Sequence, residues 1–351
     1  MMEAAYDETI VPLDAIKRLS KDLREASRLI GVQEARYLVD LYYQIQDVRK
    51  AQTNRVGACR RADEPAAILE WVATNTRTLE ADIASALGEF AAGYAVGRWL
   101  QSITGVGQVL SAGLLAGFDI RRAPTAGHYW RYAGYDPTQQ WVSAADARKL
   151  VAEIMGSAKR PKLEHIEQAA ARLNRRADQV INAHRFLSKR EGLPTTREAL
   201  AKALSIRPWN AKIKVLCFKV GDQFIRQQNR QGGEFYGGIF LRRKQYEIER
   251  NERGDHAEEA ARCLPTVGKA TEAHKAYAAG RLPDGRINAR ARRYVTKIFL
   301  SHLHHVSYLS YHGEPPPKPY ALTHLDHAHE VLPPDFDATD GRSLRELFGE
   351  E

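Results

Sequence analysis

Apolar residues along this chain recur at the helical period far more often than at the alternation of a strand. Ile16, Leu19, Leu23 and Leu29 follow Asp14, a residue type that caps helices, and Gly31 closes the segment. From Gln33 to Arg60 the stripe Leu38, Leu41, Tyr42, Ile45 and Val48 is opposed by Asp40, Gln44, Asp47, Arg49 and Lys50. That pattern predicts a long amphipathic helix in an antiparallel hairpin or short coiled coil. Asp63-Glu64-Pro65 predicts the next helix start, and helices are expected to continue to Leu100 with an interruption at Thr74 to Thr76. The stretch Lys159 to Ile206 is rich in Ala, Arg, Lys, Glu and Leu, and breaks at Gly192-Leu193-Pro194-Thr195. Thr195 and Glu198 then offer a capping box. Asn210 to Gln228, Arg242 to Leu264 and Asn288 to Tyr311 complete the predicted helices, and Pro315, Pro316, Pro317 and Pro319 predict an extended strap with a loose acidic terminus. The expected fold class is therefore mainly α. Its regions are a helical, coiled-coil segment over 1–98, a helix-hairpin-helix core over 99–158, a helical insertion over 159–206, a basic helical region over 207–313, and a strap and tail over 314–351.

Composition narrows the function classes. At 351 residues and 44% hydrophobic the chain can bury a core, and 52 Lys and Arg against 43 Asp and Glu give a net charge of +9. That balance favours a polyanion as partner over an acidic small molecule. Cys59, Cys217 and Cys263 lie far apart and in no CxxC pair, which predicts reduced thiols rather than a disulfide framework or a zinc knuckle. The first residues lack the basic and apolar regions of a signal peptide, and the most apolar long stretch, Ala81 to Leu100, carries Asp82, Glu89 and Arg98. The expectation is a cytoplasmic protein with no membrane partner.

The most informative stretch runs from Trp99 to Leu115, with Thr104-Gly105-Val106-Gly107-Gln108 at its centre. A Gly-x-Gly turn between two helices lets the backbone bend tightly and approach a ligand, while the second helix presents its unpaired N–H groups. Such a turn makes a phosphate site that touches a DNA backbone without reading sequence. Ile103, Val106, Val109 and Leu110 supply an apolar frame for the two helices. A plain tight turn between packed helices has the same residues.

From this hairpin onward, Ile103-Thr104-Gly105-Val106-Gly107, Leu114 to Ile120 and Tyr132-Ala133-Gly134-Tyr135-Asp136-Pro137 resemble the C-terminal domain of the DEDD-type, bridge-RNA-guided insertion-sequence transposases. The helical segment from Gln33 to Leu100 and the later segments Asn210 to Asn229, Tyr236 to Gly254 and Ala289 to Tyr308 are also similar to that family. The resemblance implies a DNA-binding protein of transposition or recombination, with structured RNA as a second partner. It departs from the family in lacking an acidic RuvC-like domain before the coiled coil, in having Thr104 where the family has proline, and in a segment from Ala147 to Ser205 that looks inserted. The family's nucleophilic serine best matches Ser143, with Arg148 and Lys149 as the nearest groups to steady a phosphate. Ser143 is equally placed to cap the helix of Ala144 to Met155, because Asp146 follows three residues later.

Two basic runs reinforce the polyanion reading. Arg286, Arg290, Arg293 and Lys297 fall on one face of a helix, and Arg242-Arg243-Lys244 lie near Phe235 and Tyr236. Each run alone reads as a solvated helix face. His302, His304 and His305, then His324, His327 and His329, offer ligand types suited to zinc or manganese, though their spacing matches no metal motif. No cofactor is evident, and a divalent metal is the one to consider. The leading expectation is a transposase-like DNA-binding protein, a homo-oligomer through its coiled coil. The alternatives are an active serine-type recombinase using Ser143, a histidine-metal hydrolase, and a helical scaffold.

Overall fold

The computed structural model describes residues 25–317 and 331–349. These are mainly helical; among them there is no strand, only an isolated bridge between Tyr94 and Arg342. The helix start at Asp14, Pro319, and His324, His327 and His329 lie outside the described residues. The chain divides into two compact units, residues 1–118 with 335–351, and residues 119–334. The division falls inside the segment 99–158.

In the first unit, α1 (Val32–Arg61) and α2 (Ala67–Ala92) form the expected antiparallel hairpin. Ion pairs Arg60–Glu70, Arg49–Glu80 and Arg28–Glu89 set its register. Two details differ from the sequence expectation. The buried face of α1 is Ala35, Val39, Ile45 and Val56, while Leu41 and Val48 of the supposed stripe are exposed. The interruption at Thr74 to Thr76 is absent, because the side chains of Asn75 and Thr76 turn back onto the carbonyls of Trp71 and Val72 and remain satisfied inside a continuous helix. After a break at Gly93-Tyr94 come α3 (Ala95–Ser102) and α4 (Gln108–Gly117), with α4 packed on α1 and α2.

The second unit holds α5 (Ala126–Ala133), α6 (Ala144–Met155), α7 (Leu163–Arg172), α8 (Ala177–Ser188), α9 (Arg197–Ser205), α10 (Ala211–Gln227), α11 (Glu234–Glu252), α12 (Ala257–Cys263), α13 (Glu272–Ala278) and α14 (Asp284–His312). The long α14 is the spine against which α5, α10 and α11 pack. Phe224 of α10 stacks on Tyr236 of α11 at 4.3 Å between ring centroids, and Phe299 of α14 meets both edge-on. The helix expected over Arg242 to Leu264 is two helices. Gly254, at φ +85°, turns the chain between α11 and α12 in a backbone region where glycine has no Cβ penalty. The helices α6 to α9 surround a core of their own, built on Val151, Met155, Ile166, Leu173, Val180, Leu200 and Leu204. Thr196 rather than Thr195 caps α9, accepting a hydrogen bond from the Ala199 N–H. No helix among the described residues is long and apolar enough to cross a membrane.

Candidate nucleic-acid interface

The Gly-x-Gly hairpin joins α3 to α4 in the first unit. Ile103, Val106 and Val109 point inward and are buried, so the intervening backbone is held on an apolar frame. Gly105 has φ +98°, a conformation that a residue with a Cβ rarely adopts, and it is what allows the reversal. Gly107, the N-cap of α4, has nothing within 4 Å of where a Cβ would stand, and no side chain caps the helix. The first-turn amides of α4 therefore open beside an exposed, unobstructed piece of backbone. Thr104 is half-buried at the turn. The Gln108 side chain folds back on α2, so close to Gly88 that a Cβ there would lie 2.7 Å from the Gln108 amide nitrogen.

In the second unit, the Ser143 hydroxyl donates to the Asp146 carboxylate at 2.7 Å and accepts from the Asp146 N–H at 3.2 Å, capping α6. Arg148 makes two hydrogen bonds of 2.9 Å to the Glu198 carboxylate, and Lys149 sits 3.7 Å from Asp146. Both cations therefore already have carboxylate partners.

The row Arg286, Arg290, Arg293 and Lys297 divides along α14. Arg286 and Arg290 pair with Glu259 of α12, and Arg290 also approaches the buried Glu247. Glu247 further receives Arg243, and His256 is 3.2 Å away. Glu259 is buried in part, which alone would raise its pKa, but Arg290 and Arg286 hold the carboxyl below its ordinary range. These cations are structural ties between α11, α12 and α14. Arg242 is exposed, and Lys244 half-buried, on α11.

Past that network the charges stop cancelling. None of Arg207, Lys214, Arg293 and Lys297 is in an ion pair with a described carboxylate, and Arg293 is exposed among them. Lys214 is pushed below the ordinary lysine pKa by burial and then by Arg293 and Arg207. Lys297 is lowered by burial and by Arg293 and Arg243, against a partial counter-pull from Asp136. Aromatic rings lie against Lys214, Lys297 and Arg207. The Lys214 ammonium is 4.0 Å from the centroid of Trp209, that of Lys297 is 4.1 Å from Trp130, and the Arg207 guanidinium is 5.6 Å from Trp141. Arg243 lies between Tyr246 and Tyr294. The Trp130 ring is fixed by its own N–H, which donates to the Lys297 carbonyl at 3.0 Å. The stretch Arg207 to Lys214, Trp130 and Lys297 carry no sequence signal as a group because the three places are far apart in the chain. Only the Arg-Pro-Trp-Asn corner at 207–210 stands out, and there as a local cap; Asn210 does cap α10, accepting from the N–H groups of Lys212 and Ile213.

Of the candidate histidines on α14, His302 and His304 are core residues and His305 is half-buried. His302 Nδ1 meets the Tyr236 hydroxyl at 2.9 Å and its Nε2 meets the Val331 carbonyl at 2.7 Å, while His304 Nε2 is 2.8 Å from the Ala123 carbonyl. Burial pushes both imidazoles down to about 4, so they are neutral near pH 7. Among the described residues no cluster of three His, Cys, Asp or Glu side chains is arranged to hold a metal. Burial also raises the Cys217 thiol pKa, which makes it unreactive. Comparison with known proteins finds no matching family model, and no similar curated protein or solved structure.

Proposed function

We propose that this protein binds duplex DNA as a transposase-like component of transposition or recombination, gripping the phosphate backbone through the hairpin at 103–107 and the cation–aromatic cluster of the second unit. The cluster carries the reading. Like charges crowded together, with Asp136, itself paired with Arg131, giving Lys297 a partial counter-pull, cost stability, and a polyanion with regularly spaced phosphates offsets that cost. The Trp209 and Trp130 rings hold the two lysine ammoniums by cation–π contact, so the charges are positioned before a polyanion arrives. The hairpin supports the same reading in neutral form, with open backbone at Gly107 and uncapped amides at the start of a helix. The resemblance of the stretch 103–137 to DEDD-type transposases supplies the setting, and structured RNA is a second polyanion the same chemistry accepts.

The test is binding of the full chain to a random-sequence duplex across a salt series. The parent is expected to lose affinity steeply as salt rises. Arg293→Glu with Lys297→Gln should weaken binding and flatten the slope of log K against log salt by about 0.9 for each phosphate that is no longer neutralised. Gly107→Asp separates fold from function at the hairpin. Its carboxylate enters open space and can cap α4, so stability should hold or rise while DNA affinity falls. A parent protein with no salt-sensitive affinity for duplex overturns the proposal.

A further inference from the structure

The body formed by α6 to α9 contributes neither to the hairpin nor to the lysine–tryptophan cluster, yet one of its turns is closely specified. Only Leu173 to Arg176 separate α7 from α8. Fully buried Ala169 and Ala170 give α7 a small-residue face that lets its neighbours come close, and Leu173 and Val180 fill the angle on either side of the turn. Asn174 takes φ +49°, the left-handed region that asparagine tolerates better than most residues, and so reverses the chain. Arg175 points inward. Its guanidinium donates to the carbonyls of Gln140, Leu204 and Ile206 at 2.8–3.2 Å, tying the turn to both ends of the four-helix body. The two ends are also held together by the Trp141 N–H on the Ser205 carbonyl at 2.8 Å.

A helix, a four-residue turn with one left-handed residue, and a second helix buried along one side form a helix-turn-helix. We propose that α6 to α9 are a sequence-reading DNA module whose α8 lies in the major groove of duplex DNA. The exposed side of α8 carries Asn182, Arg185 and Phe186, and Phe186 is 68% exposed. Asparagine and arginine are the side chains that bond adenine and guanine edges bidentately, and an exposed ring suits the thymine methyl. Arg172, Arg176 and Lys189 flank this face, and from 172 to 190 Asp178 is the one carboxylate in the sequence. Arg172, Arg176 and Arg185 are in ion pairs with Glu153, Asp178 and Glu191, all solvent-exposed. Pairs of that kind contribute little, and their guanidiniums can exchange a carboxylate for a phosphate. The inference rests on the DNA-binding reading above for the identity of the polymer, and adds base reading to a grip that is otherwise blind to sequence.

The test is selection from a random duplex library with the full chain, followed by affinities for the enriched site and for a scrambled duplex. A recurring motif is expected. Asn182→Ala with Arg185→Ala should lose about tenfold or more on that motif and stay within about twofold on the scrambled duplex, with an unchanged melting temperature. Asn182→Gln, milder still, should alter the preferred base at one position. Salt-sensitive binding with no enriched motif overturns this inference and leaves the backbone grip standing. A motif that the double variant reads as well as the parent also overturns it, and absence of all binding overturns both.

Discussion

His302 and His304 are two residues apart on α14 and meet different surroundings, one the Tyr236 hydroxyl and the Val331 carbonyl, the other the Ala123 carbonyl and the edge of Tyr129. The sequence shows ligand-type residues close together; it does not show that α14 is buried on most of its sides here, which turns the same residues into neutral packing groups. The consequence is a pH dependence of stability. In the unfolded chain each imidazole titrates near 6.5, and in the folded protein burial moves it to about 4. Between those values the unfolded state binds more protons, so stability is full above about pH 6.5 and is lost as pH falls towards 4. Each histidine is worth on the order of 3 kcal/mol over that window. Denaturant unfolding across the window should show this decline, and the His302→Gln, His304→Gln double variant should show a flatter one from a lower starting stability. A parent whose stability is flat across that range sinks the assignment of both rings as neutral core groups.

At the scale of elements, the α1–α2 hairpin is tied by a polar contact inside its seam. Glu80 is buried, which alone would raise its pKa, yet hydrogen bonds from Arg49 and Gln46 hold the carboxyl below its ordinary range. Removing one partner leaves the other unpaired in a part-buried seam. Arg49→Met is expected to cost roughly 3 kcal/mol, whereas Arg49→Met with Glu80→Met should recover much of it, because two apolar groups leave no unpaired charge. Unfolding of the four proteins of this cycle gives the coupling energy, and additive losses would show that the pair is not a unit. The hairpin itself was legible, since thirty residues of helical periodicity over α1 outweigh any local ambiguity. Its buried face was less so: Leu41 and Val48 are apolar and exposed, while small Ala35 faces the core. Ends that depend on one residue were the hardest to read. Gly254 splits a stretch whose composition is helical throughout, and Asn75 and Thr76, poor helix formers by propensity, are kept in α2 by bonds to the preceding turn.

At the scale of the whole molecule, what the sequence could not carry was closure between distant segments. The cation–aromatic cluster draws on α5, α10 and α14, and no periodicity marks such an assembly. The same holds for the first unit, which is completed by the C-terminal segment that composition had cast as a loose tail. Arg342 donates its N–H to the Gly93 carbonyl and accepts from the Ala95 N–H, both at 3.0 Å, and its guanidinium covers the Tyr94 ring at 4.2 Å. Asp340 pairs with Arg98 of α3, and Leu344 and Leu347 are buried. Gly341 makes the approach possible: at φ +108°, a Cβ there would lie 3.1 Å from the Ala95 nitrogen and 3.2 Å from the Gly93 carbonyl oxygen. The break between α2 and α3, where the backbone leaves helical geometry, is thus bonded by residues distant from it in sequence. Ending the chain after Pro334 should remove on the order of 3–5 kcal/mol of apolar burial from the first unit through Leu344 and Leu347 alone. Gly341→Ala should weaken the same junction without shortening the chain. Hydrogen exchange checks both: the amides of α3 and α4 are expected to lose protection in either variant while those of α10 and α14 keep theirs. Unchanged exchange in α3 and α4 would mean that the hairpin at Gly105 and Gly107 holds its shape without the returning segment, and that the frame behind this turn is the α1–α2 hairpin alone.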